Sequence, residues 1–406
     1  MNKHWVGLDF LRGIGLFFLL VMHSAFYYVS GLWDLDLENP PLIITIIGFL
    51  LMFAGLFAMI SGCVHGISIH QLIHQKQWSP GQILRKKAVS GFFILVVAWL
   101  YFLFTGPGLA VFSARQMNNS ILVEWILSGR WTGFNQERLL YIDSLVMIGS
   151  NVLLVSLIWL LLYKIKKLKP AVLLVVSAAV MILSLLRLPL YPVYLDQVRQ
   201  GNWWSILLLF WLVNKNNPVL PFLAFGLIGS WVGLRLAEER SHKPIIRVGL
   251  ILLLAGLILY VFLPDTMLQR EIDLKWYSIM VTQLGLFLLL IIAALAVFDR
   301  RKLPAGPIGC LCRFFCRFSY AGLTAFFWES IVAALAWRLL AFAVPELRLG
   351  IGGALLFGLV LALMWGFFLV LWEKRKYAGS IEYFYGLVVS RLGRFSSKAD
   401  KLLKGP

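Results

Sequence analysis

The sequence predicts an all-α fold: a polytopic membrane bundle of about ten transmembrane helices with both termini in the cytoplasm. Three observations predict it. Of 406 residues, 60% are hydrophobic and only 14% charged, with a mean hydropathy of +0.84, whereas a soluble globular chain carries about 25% charged residues. The hydrophobic residues gather into runs of about 20, the length that crosses a bilayer at 1.5 Å rise per residue. The charge is segregated: 37 Lys and Arg against 19 Asp and Glu give a net charge of +18, and nearly all of that excess lies in alternate loops. This composition excludes a soluble enzyme, a disordered chain and a secreted disulfide scaffold.

The first run, 9–30, follows a short basic start that superficially resembles a signal peptide. Asp9 and Arg12 interrupt it and no small-residue cleavage site follows, so it reads as a retained first helix. The next runs lie at 41–66, 88–106, 139–164, 170–188, 217–236, 247–264, 277–298, 317–344 and 350–372. Every backbone polar group must be satisfied inside lipid, so helices are the only reading of runs this long. Two apolar stretches are too short to span: Trp203–Val213, an interfacial or re-entrant helix, and the weaker Ile121–Leu127. Ser61-Gly62, the series Gly226, Gly229, Gly233, and the run Gly350-Ile351-Gly352-Gly353 read as helix-packing contacts. No internal repeat or low-complexity linker divides the chain, which parses as one membrane domain, 1–372, and a short basic tail, 373–406.

The loops set the orientation. Lys164, Lys166, Lys167 and Lys169, then Arg240, Lys243 and Arg247, then Arg300, Arg301 and Lys302 all fall on the side that holds the N-terminus. Arg130, Arg138, Arg187 and Lys215 fall on the other side, where acids balance them. Cations in flanking loops stay inside, so the N-terminal side is the cytoplasmic face of a multi-pass protein of the cell membrane. Positive charge arranged this way suits anionic lipid headgroups and not nucleic acid. Cys63, Cys310, Cys312 and Cys316 fall at the same side, where thiols stay reduced.

Ionisable groups inside spans are costly and mark functional sites. In the first helix Arg12 and His23 are eleven residues apart, hence within about 20° of one face and ~16 Å apart along the axis. Asp9 precedes Arg12 by three and shares that face. A neutral imidazole in a dry cavity can take a proton from a hydroxyl or amine, and a guanidinium can hold a phosphate or carboxylate by two hydrogen bonds. The plainer reading has Arg12 snorkelling to lipid phosphate, Asp9 pairing with it and His23 bonding a neighbouring helix. Asp143, near the start of the fourth span, either orients His23, binds a sugar hydroxyl or sits as an acid at the interface. Glu329 lies deep in the ninth span and is a candidate acceptor contact or proton relay. Arg338, nine residues on, occupies the opposite helix face and does not pair with it. His70 and His74 form an i, i+4 pair without further ligands, and Cys310, Cys312 and Cys316 lack metal-site spacing, so no metal is expected.

Asp9-x-x-Arg12-Gly13 and the spacing Arg12-x10-His23 resemble the first-helix signature of the transmembrane acyltransferases. That superfamily includes the acyltransferase-3 proteins, which acylate surface polysaccharides, and the heparan-α-glucosaminide N-acetyltransferase-like proteins. Phe53–Gly62, Arg138–Ser144, Pro218–Gly233 and Phe318–Ile331 resemble further helices of these relatives. The resemblance implies transfer of an acyl group, acetyl foremost, from cytoplasmic acyl-CoA to a carbohydrate or glycolipid acceptor at the outer side. It implies His23 as the base and Arg12 as the motif's cation; Asp143 and Glu329, charged inside the spans, join them as catalytic candidates. Arg12 and Asp9, joined by Arg85 and Lys86, are then the candidates for holding acyl-CoA. Two departures stand out: the glucosaminide-type relatives often have Asn where His23 stands, and the Arg-x-x-Arg of acyltransferase-3 proteins is replaced by Arg85-Lys86-Lys87. A proton-coupled transporter or exporter using Glu329 and Asp143, and a non-catalytic acyltransferase-like membrane protein, are the alternatives.

Overall fold

Each of the ten predicted runs contains a helix in the computed structural model, which describes residues 4–34, 42, 53–133, 136–214, 216–264, 273–299 and 306–392. In chain order the helices are α1 (Val6–Tyr27), α2 (Ala54–His74), α3 (Pro80–Leu100), α4 (Ile121–Ser128), α5 (Gln136–Leu139), α6 (Ser144–Lys164), α7 (Pro170–Leu183), α8 (Arg187–Gln200), α9 (Trp203–Val213), α10 (Val219–Ala237), α11 (Lys243–Phe262), α12 (Leu274–Phe298), α13 (Pro307–Tyr320), α14 (Gly322–Ala343), α15 (Ile351–Glu373) and α16 (Ile381–Leu392). Ten helical stretches among the described residues are long and apolar enough to cross a membrane. A two-stranded antiparallel hairpin, β1 (Leu109–Val111) and β2 (Gln116–Asn118), pairs Leu109 with Asn118. Most of the predicted stretch 41–53, the cations Arg300, Arg301 and Lys302, and the end of the tail from 393 lie outside the described residues.

Helix ends differ from the hydropathy boundaries where capping chemistry sets them. Ser79 and Gln82 form a capping box at the start of α3: the Gln82 amide donates to Ser79 Oγ, and the Ser79 amide donates to Gln82 Oε1. With Pro80 at the first helical position, the helix starts a full two turns before the apolar run. Arg85 and Lys86, expected in a loop, are therefore helical. Asp273 caps α12 by a single side-chain bond, accepting from the Trp276 amide at 2.7 Å. The fifth run continues through a 3-10 turn, Ser184–Leu186, into α8. The ninth run breaks at Ala321, dividing α13 from α14.

Close helix contacts depend on glycine. A Cβ on Gly229 would lie 2.0 Å from the Met59 carbonyl oxygen, one on Gly233 2.1 Å from that of Cys63, and one on Gly62 2.0 Å from that of Gly226. This locks α2 against α10, which is almost wholly buried. The same device seats α1: Gly13 abuts the Phe315 carbonyl of α13, and Gly358 of α15 abuts that of Val21. By contrast Gly350 and Gly352 have open space around their Cα atoms. They are not packing residues; Gly350 supplies the extended N-cap of α15. α11 exposes Ile251, Leu254, Val261 and Phe262, the surface a peripheral helix turns to lipid.

Arg138 and Arg187, expected as loop cations, are buried instead, at 2% and 1% exposure. Arg138 donates to three backbone carbonyls, whereas Arg187 donates to one, that of Asn214, at 2.7 Å and lies over the Trp276 ring. The segment after the last span folds back on the bundle. Glu382 of α16 accepts the Thr324 amide and hydroxyl, capping the start of α14, and Tyr385 packs on Phe93 of α3.

Candidate active site

His23 stands one turn from the end of α1, and its Nδ1 lies 2.6 Å from Oε1 of Glu329, on the second turn of α14. The Tyr101 hydroxyl donates to the same oxygen at 2.8 Å. Tyr101 opens a π-helical turn, Tyr101–Thr105, that ends the third span. Such a turn inserts a residue into the helix register, and π-turns recur at functional sites. The Tyr101 ring also packs against Phe326, one helical turn before Glu329. Glu329 is 3% exposed. A buried carboxylate is costly unless hydrogen-bonded; here an imidazole and a phenol both meet Oε1, while Oε2 is buried and has no hydrogen-bond partner among the described residues.

A cavity of about 270 Å³ opens beside this trio. His23 and Glu329 line it together with Ser24 and Tyr27 of α1, Ser330 and Trp337 of α14, and Asn119 just after β2. These aromatic and short polar side chains share the wall with apolar ones, Val123, Leu127 and Ala333 among them. An ionised carboxylate only accepts hydrogen bonds; an imidazole donating to one from Nδ1 has its Nε2 lone pair turned away from that contact.

Asp143 is buried within electrostatic reach of His23 and Glu329. Its Oδ1 accepts the Val146 amide at 2.8 Å and so caps α6, while its Oδ2 has no hydrogen-bond partner among the described residues. The carboxylate that contacts His23 is therefore Glu329, and Asp143 sits behind it with one oxygen uncommitted.

At the opposite end of α1, Arg12 and Asp9 meet a residue that sequence reasoning missed. Arg12 Nε donates to Ser319 Oγ at 2.6 Å, Arg12 Nη2 donates to Asp9 Oδ1 at 2.9 Å, and Ser319 Oγ donates to the same Asp9 oxygen at 2.8 Å. His4 Nε2 lies 2.7 Å from Asp9 Oδ2. The Arg12 side chain stays 40% exposed, so its guanidinium is fixed on one edge and open on the other. Asp299 accepts the Val6 and Gly7 amides, both at 2.8 Å, and anchors the start of α1.

Arg85 and Lys86 lie in the second turn of α3. Lys86 sits over the Trp78 ring, 5.4 Å from its centre, and no described hydrogen bond joins it to the Arg12 cluster. The cation that turns inward is Lys87, which donates to Ser68 Oγ at 3.1 Å and lies 2.9 Å from His65 Nδ1. Among the described residues, no group of three or more His, Cys, Asp or Glu is placed to hold a metal ion.

Tyr101 and Ser319 carried no signal in the sequence, since a Tyr or Ser in an apolar helix is unremarkable until its partner is known. A family model described as an acyltransferase domain matches residues 5–321, which takes in Asp9, Arg12, His23, Tyr101, Asp143 and Ser319. The match ends at the helix break before Glu329. No curated protein matches the chain.

Proposed function

Because the chain belongs to the acyltransferase-3 family, we propose that it moves an acyl group, acetyl foremost, from acyl-CoA to a hydroxyl or amine of a carbohydrate or glycolipid acceptor. The donor binds at the end of the bundle that holds Arg12, taken as the cytoplasmic end, and the acceptor enters at the outer face of the cell membrane. The observation that carries this reading is the imidazole of His23, held by a buried carboxylate and open to a mostly apolar cavity whose wall also carries Ser24, Ser330 and Asn119.

Acyl-CoA, when bound, supplies an activated thioester. His23 Nε2 removes the proton of the acceptor hydroxyl or amine as that atom attacks the acyl carbon, and later returns it to the departing thiolate sulfur. Glu329 stabilises the imidazolium formed between these steps and keeps the ring in one orientation. Tyr101 holds Glu329 in place. Asp143 adds negative charge behind the imidazole or meets an acceptor hydroxyl. Arg12, aligned by Asp9 and Ser319, offers its exposed edge to a donor phosphate, and Arg85 and Lys86 add positive charge on the same end. Lipid headgroups surround that end as well.

Binding of acetyl-CoA to the purified protein tests the reading. Acetyl-CoA should raise the thermal unfolding temperature by several degrees, as a ligand at 100-fold excess over its Kd adds about 2.7 kcal/mol. Acetyl transfer to a glycolipid acceptor should depend on His23. Indifference to acyl-CoA supports a carrier instead.

A further inference from the structure

Arg138 lies in the four-residue helix α5, at a position where a cation ordinarily meets water or headgroups. It is instead buried, and among the described residues no carboxylate pairs with it. Its guanidinium donates to three backbone carbonyls: Nε to Phe102 at 2.7 Å, Nη1 to Asn118 at 2.7 Å and Nη2 to Pro107 at 3.0 Å. It also lies over the Phe102 ring at 4.6 Å, and that ring stacks on Tyr141 at 4.4 Å.

A buried cation is costly unless hydrogen-bonded, and three carbonyls from three separate segments are an unusual way to satisfy one. Phe102 belongs to the π-turn that ends the third span, where carbonyls lack helical partners and the helix dipole is negative. Pro107 follows that turn, and Asn118 is the last residue of β2. What these segments share is the candidate active site. Tyr101, adjacent to Phe102, donates to Glu329. Pro107 lines the cavity, as does Asn119, adjacent to Asn118.

We propose that Arg138 is a positioning residue for acyl transfer. It clamps the π-turn so that Tyr101 meets Glu329, and it fixes the cavity wall built by Pro107 and Asn119. The proposal rests on the reading of His23 as the base, and acts on it through Tyr101 and through the space left for the acceptor.

A double-mutant cycle with a structural readout tests it. Tyr101→Phe and Arg138→Gln are each expected to lower kcat about tenfold, while Arg138→Gln made in the Tyr101→Phe background lowers it less than about threefold further, the signature of residues acting as one unit. Arg138→Gln should also raise the acceptor KM and leave the donor KM unchanged, whereas loss of folded protein alone lowers kcat and moves neither KM. Hydrogen exchange on Arg138→Gln should show lost protection at 101–108 and 116–119, with α2 and α10 unaffected. Additive effects on kcat, or unchanged protection at 101–108, overturn the proposal. If Arg138→Gln does not fold, Arg138→Lys carries the same cycle, retaining a cation that reaches fewer carbonyls. Wild-type protein that transfers no acyl group defeats the acyltransferase reading; the exchange data still decide whether Arg138 is the clamp.

Discussion

His23 and Glu329 are 306 residues apart in the chain, yet Nδ1 of one lies 2.6 Å from Oε1 of the other. The contact joins the first span to the ninth, and it brings the two most costly polar residues of those spans to a single point. Each accounts for the other physically: a carboxylate in a buried setting needs a hydrogen-bond donor, and a partner of that kind fixes the orientation of the ring.

Replacement of either partner is expected to remove most activity. His23→Ala should abolish transfer, since it removes the imidazole that lines the cavity. Glu329→Gln keeps a carbonyl oxygen near Nδ1 but removes the charge that stabilises the imidazolium. It should lower kcat by about 10²–10⁴-fold. Single-turnover acetyl transfer by variants that stay monodisperse in detergent checks this, and a Glu329→Gln enzyme with near-normal kcat would exclude the carboxylate from the chemistry.

Arg12 and Ser319 give a different kinetic signature. They lie at the far end of α1 from His23, so their removal should affect donor binding and leave the proton transfer alone. Ser319→Ala deletes the hydroxyl that links Arg12 Nε to Asp9. It is expected to raise the donor KM about 3- to 10-fold, with Arg12→Ala raising it further and kcat changing little; a net hydrogen bond of about 0.7–1.4 kcal/mol sets this scale. Initial rates against acetyl-CoA concentration at saturating acceptor measure it. A lowered kcat at constant donor KM would move Arg12 out of the donor site.

The spans were legible because length and hydropathy alone decide which segments cross a bilayer, and His23, Glu329 and Asp143 stood out because charge in such segments has to be explained. The helix starts were less legible, since Ser79 with Gln82 and Asp273 set them by side-chain caps that hydropathy does not see. Arg138 and Arg187 were misplaced for a physical reason: a cation at the end of an apolar run faces water unless carbonyls converge on it, and that convergence is tertiary. Tyr101 and Ser319 were hidden for the same reason. A hydroxyl acquires meaning from its partner, and their partners lie 228 and 307 residues away.

Asp143 holds two roles that substitution can separate. Its Oδ1 caps α6 through the Val146 amide, and its Oδ2 is buried near His23 and Glu329 without a partner among the described residues. Asn caps a helix about as well as Asp, whereas Ala does not. Asp143→Ala should therefore cost about 0.5–2 kcal/mol of stability, seen as a lower thermal unfolding temperature, together with any catalytic loss. Asp143→Asn should keep the cap and the unfolding temperature while removing the negative charge. If Asp143→Asn loses activity at normal stability, the uncommitted oxygen works with His23 or the acceptor. If Asp143→Asn is fully active and only Asp143→Ala fails, the residue is a helix cap and the site's chemistry rests on His23, Glu329 and Tyr101.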